Sequence, residues 1–461
     1  ITVRFTNSAL IYTGFYLFVN LTFLSCTKAV EETLNDINAG GSTTIFTEFS
    51  NSFQQPAANL DKEGLDDHRS GDLLFESIFV TSPSPQNSGL GPIFVQNACV
   101  SCHPKNGRAA FPESGSDMGG LLARISLPGS GIHGENISVP GFGTQLQTKA
   151  NFGVIPEGQL SYFNEFIEGL MADGSSYTLR RPVFKIFNTY LPFPSEVQMS
   201  VRIGPPIFGL GLLESISEEE LLKRVDPDDK NKDGISGRLN YVYDDRVGKM
   251  AIGRFGWKAS QPSIYNQTAH AFLEDMGLSS PYLPQDPSYG QVQQDSKADD
   301  PEVTDDVVRL ATFYAQSLGV PAPRRQNLPD VIYGKKLFAY IGCEKCHTSK
   351  MQTGPNSDHP FLANQSIQPY TDLLLHDMGP GLADHRSDGL ANGNEWRTPP
   401  LWGIGLTQVV GGHTNFLHDG RARNLEEAIM WHDGEGRSSK DGYAKLSKKD
   451  KEKLLLFLNS L

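Results

Sequence analysis

Apolar positions recur with a helical period over 303–318 and again over 446–461, and each stretch closes one half of the chain. Ile93-Phe94 and Leu337-Phe338 stand at the same offset before Cys99 and Cys343, so an amphipathic helix is predicted to open each half as well. Between the halves, 283–301 is polar and rich in proline and reads as a linker. The apolar run at 9–24, behind Arg4, reads as an export signal ending at Ser25-Cys26, with a membrane anchor helix as the competing reading. The glycine- and threonine-containing stretch after it reads as a tether. The pattern therefore predicts a mainly α protein with long loops and little β structure: a signal at 1–26, a tether at 27–70, and domains at 71–325 and 326–461.

With 461 residues, 38% of them apolar, and 46 glycines, the chain has the make-up of a soluble globular protein with room for large cores. A net charge of −13 argues against nucleic acid or an anionic membrane surface as the main partner, and suits a small basic redox protein better. Cys26, inside a lipoprotein-like processing box, is a candidate lipid anchor, which would hold an exported protein on the membrane facing the periplasm.

The other four cysteines carry the strongest signal. Cys99-Val-Ser-Cys102-His103 and Cys343-Glu-Lys-Cys346-His347 are both C-x-x-C-H. At that spacing two thiols add to the two vinyl groups of one haem, and the histidine reaches the iron. Disulfides or a zinc site would have no use for the trailing histidine. Two covalently bound haem c groups are expected, with His103 and His347 as iron ligands, so the two domains are read as cytochrome c-like haem domains.

A second repeat supports duplication. Pro205-Pro206-Ile207-Phe208-Gly209-Leu210-Gly211-Leu212 matches Pro399-Pro400-Leu401-Trp402-Gly403-Ile404-Gly405-Leu406, with Arg202 and Arg397 ahead of them, and reads as pocket scaffold. Separately, Asp229, Asn231 and Asp233 form a D-x-N-x-D-G loop of the kind that wraps a calcium ion. Asn240 stands where an EF-hand carries its bidentate glutamate, so Asp226 or Asp244 would have to complete the shell. A solvated acidic turn is the plain alternative.

From about Gly71 onward the chain resembles the bacterial di-haem oxidoreductases, described as peroxidases or as thiol oxidoreductases. The likeness rests on GRFGWKA at 253–259, PYTDLLLHDMG at 369–379, EWRTPPLWGIGL at 395–406, FLHDGRA at 416–422 and WHDGE at 431–435. More distantly it is similar to di-haem cytochrome c peroxidases and to the di-haem enzyme that matures methylamine dehydrogenase. This resemblance implies that His432, just beyond Leu425-Glu426-Glu427-Ala428, binds the second iron, where better-known branches carry Met or Tyr. His376, His413, His418 and Met430 are rivals. It also implies Trp257 between the haems and Gln267 with Asp275 above the haem that meets peroxide, although the acid comes earlier than in the peroxidases and is not Glu. Glu274 is a rival for the proton transfer, and Met276 a rival that would close the site as an iron ligand.

The activity implied is reduction of a small oxidant such as hydrogen peroxide at the N-terminal haem, with electrons relayed by the C-terminal haem from a small redox protein. Cleaving a peroxide requires a proton moved from one oxygen to the other, which a carboxylate can do and an amide cannot. A non-enzymatic electron carrier, or oxidation of a protein or organic substrate, are the alternatives. The thiol-oxidoreductase description gains nothing from this chain, whose four remaining cysteines are all assigned to haem.

Overall fold

The structure, a computed structural model, describes residues 37–113 and 118–461. The expected signal at 1–26, including Cys26, lies outside the described residues. Residues 37–61, read as tether, are packed: Phe53 is buried, Ile45 pairs with Pro321, and Gln368 donates its N–H to the Ala39 carbonyl.

Two helix pairs organise the molecule. In the first half α1 (Lys62–Phe75), capped by the Asp61 carboxylate on the Gly64 N–H, packs against a later helix, as described below. Next along the chain come α2 (Ile264–Met276), capped by Ser263, and α3 (Asp305–Ser317), capped by Thr304. The second half opens with α4 (Pro329–Tyr340) and closes with α5 (Lys448–Ser460), capped by Ser447. The α1–α3 and α4–α5 crossings are built alike. A Cβ on Gly71 would meet the Leu310 carbonyl at 2.8 Å and Tyr314 Cβ at 2.7 Å; one on Gly334 would meet the Lys453 carbonyl and Phe457 Cβ. Four residues after each glycine stands a phenylalanine that touches both the aromatic of the partner helix and the histidine of the haem motif. Phe75 lies 5.2 Å from Tyr314 and 6.3 Å from His103, and Phe338 lies 5.5 Å from Phe457 and 6.3 Å from His347, between ring centroids.

The duplicated opening helix is thus GDLLF at 71–75 and GKKLF at 334–338. The expectation that Ile93-Phe94 lies on it is corrected: those two residues are extended and pair with Lys149–Ala150. The insertion between α1 and Cys99 hides the true register, because Gly71 stands 28 residues before its cysteine and Gly334 only 9.

The mainly α expectation is also overturned. Helix accounts for 29% of the structure and strand for 19%, in several small sheets, so the fold is mixed. β1 (Leu121–Ser130), the long hairpin of β2 (Gln159–Leu170) and β3 (Ser176–Phe187), and β4 (Gln198–Ile203) supply most of the strand. β1 pairs antiparallel with β4 from Leu121–Ile203 to Ser126–Gln198. Its alternation of buried and part-exposed residues is that of a half-buried sheet. The β2–β3 hairpin runs in unbroken register from Gln159–Phe187 to Leu170–Ser176 and braces the second half. Arg180 donates to the Gly420 carbonyl at 2.8 Å, Lys451 pairs with Asp173 at 2.8 Å, and Ala172 bonds the Ala444 carbonyl.

The repeated Pro-Pro segments face each other. A Cβ on Gly209 would strike the Trp402 ring, and one on Gly403 the Phe208 ring, each at 2.6 Å. Both glycines have φ near +70°, which a side chain would resist in any case. Each half thus seats its aromatic on the other half's glycine.

Because the Gly334 contact is with backbone, Gly334→Ala should force α4 and α5 apart at a cost of about 1–3 kcal/mol. A lower denaturation midpoint at unchanged m-value is the expected result; an unchanged midpoint would mean that the crossing is looser than described.

Candidate haem sites and the distal helix

The first C-x-x-C-H turn spans Cys99–Cys102, and His103 follows it with its Nδ1–H donated to the Pro205 carbonyl at 2.8 Å. That bond fixes the tautomer and leaves Nε2 to bind a metal. Burial pushes the His103 imidazole down to about 4, so it is neutral at any ordinary pH. Gly204 lies against the ring: a Cβ there would come within 2.9 Å of Cε1. Cys99 and Cys102 form no disulfide, and burial first, then the nearby Asp275 carboxyl, pushes the Cys99 thiol up to about 12.

These residues line a large, mostly apolar cavity to which both halves contribute: Pro205, Phe208, Trp257, Gln267 and Asp275 from the first, Arg397, Pro399, Pro400 and Trp402 from the second. α2 forms one wall. Gln267, Ala271 and Asp275 succeed each other at four-residue steps, so they make a stripe with its smallest side chain in the middle. Met276, a rival ligand, is 3% exposed and packs among Phe272, Leu278 and Val308. Trp257 donates its indole N–H to the Ile203 carbonyl at 2.8 Å, and its own carbonyl receives the Arg397 N–H at 2.9 Å.

The neighbouring acids on α2 differ in charge. Burial pushes Asp275 up to about 6, against a 2.8 Å bond from Gln145 Nε2 to Oδ1. Burial also opposes ionisation of Glu274, but Arg124 outweighs it, and the carboxyl stays below its ordinary range in a salt bridge with Arg124 and a 2.8 Å bond from Thr144. Arg124 and Gln145 had no signal in the sequence, since β1 and the loop after it come to α2 only through the tertiary fold.

In the second half His347 donates Nδ1–H to the Tyr370 carbonyl at 2.9 Å and is likewise pushed down to about 4, by burial first. His432 is close enough for its charge to contribute to that depression. It follows the short helix Leu425–Met430, capped by Asn424 on Glu427 N–H at 2.8 Å, and donates its Nδ1–H to the Ala428 carbonyl at 2.8 Å. No protein group among the described residues bonds its Nε2. The rivals are otherwise engaged. His376 lies between Asp372 at 2.9 Å and Glu435 at 2.6 Å, and His413 bonds the Arg108 carbonyl through Nε2 and the Asn415 N–H through Nδ1. His418 stacks on Trp396 at 3.8 Å, and Met430 is buried in the core.

The D-x-N-x-D-G loop is folded on itself. Asp229 and Asn231 both accept the Asp233 N–H at 2.9 Å, and Asp233 pairs with Lys345 at 3.3 Å. Among the described residues the one compact group of three His, Cys, Asp or Glu ligand atoms is Cys346, Asp372 and His376. Asn240 is buried elsewhere, on the Lys258 and Asp388 carbonyls, and Asp244 holds Asn266.

The arrangement fits two flat, iron-bearing groups. Each motif offers paired thiols and one neutral imidazole with a free Nε2, beside a glycine-lined cavity in the first case and a second histidine in the other. The family described as "di-haem oxidoreductase, putative peroxidase" matches residues 34–461. The chain belongs to the di-haem oxidoreductases. No curated protein matches it. Haem as the cofactor of this di-haem oxidoreductase follows from that membership.

On the reading that His347 and His432 would both hold the second iron, His432→Ala is expected to turn one haem from low-spin to high-spin. An unchanged spectrum would place the distal ligand elsewhere.

Proposed function

We propose that this di-haem oxidoreductase carries two covalently attached c-type haems and reduces hydrogen peroxide in the cavity beside α2, drawing electrons through the His347–His432 site from a small redox protein. The observation that carries the reading is the stripe Gln267–Ala271–Asp275 in the cavity of His103, Cys99 and Cys102. An amide and a carboxylate flank the smallest side chain of the three. The apolar run at 9–24 and the c-type motifs support work outside the cytoplasm, in the periplasm or on a membrane facing it.

Haem iron, held by His103, would supply the electrons and a place for the oxidant; the chain supplies proton transfer and orientation. Gln267 has an amide to hold the peroxide oxygens. Asp275 Oδ1 is taken by Gln145, so Oδ2 is the atom that receives the peroxide proton and returns it to the departing oxygen, which leaves as water. Glu274, locked as a carboxylate by Arg124, keeps the local field fixed instead of cycling. Trp257, whose N–H is bound to Ile203, releases no proton and serves as aromatic matter between the sites. The Asp275 step starts from the ionised carboxylate. With the carboxyl pushed up to about 6, turnover should fall as pH is lowered through about 6.

Two measurements test this. Intact mass should exceed the polypeptide by two haem groups. Asp275→Asn should keep both haems and their spin states while slowing peroxide turnover by ~10²–10⁴-fold and removing the acid limb of the pH profile. Two low-spin haems in every redox state, with no reaction with peroxide, would make the protein an electron carrier and sink the proposal.

A further inference from the structure

Four arginines line the cavity of the first haem motif, and three are accounted for. Arg124 pairs with Glu274, Arg202 with Asp388 and Asp384, and Arg397 donates to the Gly256 and Thr398 carbonyls at 3.0 and 3.2 Å. Arg108 differs. It is 8% exposed, shares with Arg397 the lack of a carboxylate partner among the described residues, and, where Arg397 makes two side-chain hydrogen bonds, makes one, from Nη1 to the Leu417 carbonyl at 3.0 Å. Its Nε is buried with no partner among the described residues. The guanidinium also lies 5.4 Å from the Trp257 ring centroid and 5.7 Å from that of Phe416. Burial, with nothing to oppose it, pushes the group down to about 10, still charged at neutral pH.

A buried cation needs a counter-charge, and the described residues supply none. The bond to Leu417 uses one outer nitrogen and leaves the Nε–Nη2 edge, the side of a guanidinium that grips a carboxylate with two parallel hydrogen bonds. Hydrogen peroxide is neutral and cannot fill that role. The group that the C-x-x-C-H motif would anchor here carries carboxylates of its own, and Arg108 follows His103 by five residues on the wall of the same cavity.

We propose that Arg108 binds a carboxylate of the haem attached at Cys99 and Cys102, and so raises that haem's reduction potential while tying it to the second half through Leu417. This inference rests on the covalent-haem reading above, which the intact mass tests separately. A cation beside the haem favours the reduced form, because reduction adds negative charge within its field.

The test uses the haem-loaded protein and redox titration of both haems. In Arg108→Gln, the reduced-to-oxidised ratio of the N-terminal haem at a fixed potential should fall at least tenfold, with that of the C-terminal haem unchanged. Arg108→Lys, which keeps the charge, should retain most of the wild-type ratio. No change in Arg108→Gln, or equal losses in both variants, would overturn the proposal and leave Arg108 a tether to Leu417. A crystal structure of the haem-loaded wild type decides the matter without any variant. A haem carboxylate oxygen within hydrogen-bond reach of Nε or Nη2 supports it, and water or protein oxygens as the only partners of that edge overturn it.

Discussion

The two halves are held together by a reciprocal exchange: Phe208 lies on Gly403, and Trp402 lies on Gly209. Neither aromatic could sit there if the facing residue carried a side chain, and neither glycine would keep its left-handed backbone easily as anything else. The contact is that of a two-fold dimer joined into one chain, the same patch used twice against itself. Much depends on it. It brings Arg397, Pro399 and Pro400 to the cavity of the first haem motif, and it sets the Arg397 N–H against the Trp257 carbonyl. The first site is therefore a joint product of both halves.

The halves use the shared plan unequally. Each has a glycine–aromatic helix crossing and a phenylalanine leaning on its proximal histidine. His103 takes its carbonyl partner from the Pro-Pro segment, at Pro205, whereas His347 takes Tyr370, and the matching Pro399 is spent on the neighbour's cavity. In the second half His432 stands near His347, while the first offers Ala271 on the distal helix. The two frames thus differ in what each sets beside its motif: a second histidine in one, a cavity lined by Ala271 in the other.

Features set by a few adjacent residues were legible from the chain alone. The C-x-x-C-H motifs and the late helices near 303–318 and 446–461 have local signatures; Trp257, Gln267 and Asp275, which line one cavity, were reached only through the family resemblance. The β structure between the first motif and Ile203 was missed, because its alternation is interrupted by turns and was read as loop. The opening helix was misaligned because GDLLF and GKKLF stand at different distances from their cysteines. A search for the repeat without the cysteines as anchor would have found it. Arg108, Arg124 and Gln145 carry no local sign of function; their meaning comes from what burial does to a charge or an amide once the sheet and the helix meet.

The shared wall also has a consequence for assembly. His103 and Arg397 are separated by 294 residues, so at ordinary elongation rates of about 5–20 residues per second the first haem motif waits roughly 15–60 s for the segment that completes its surroundings. Whether the chain emerges from a ribosome or is threaded through an export channel, the amino-terminal site is exposed first and enclosed only once residues 397–402 have followed. Cys99 and Cys102 are without that wall throughout the interval, and arrival of the 397–402 segment ends it.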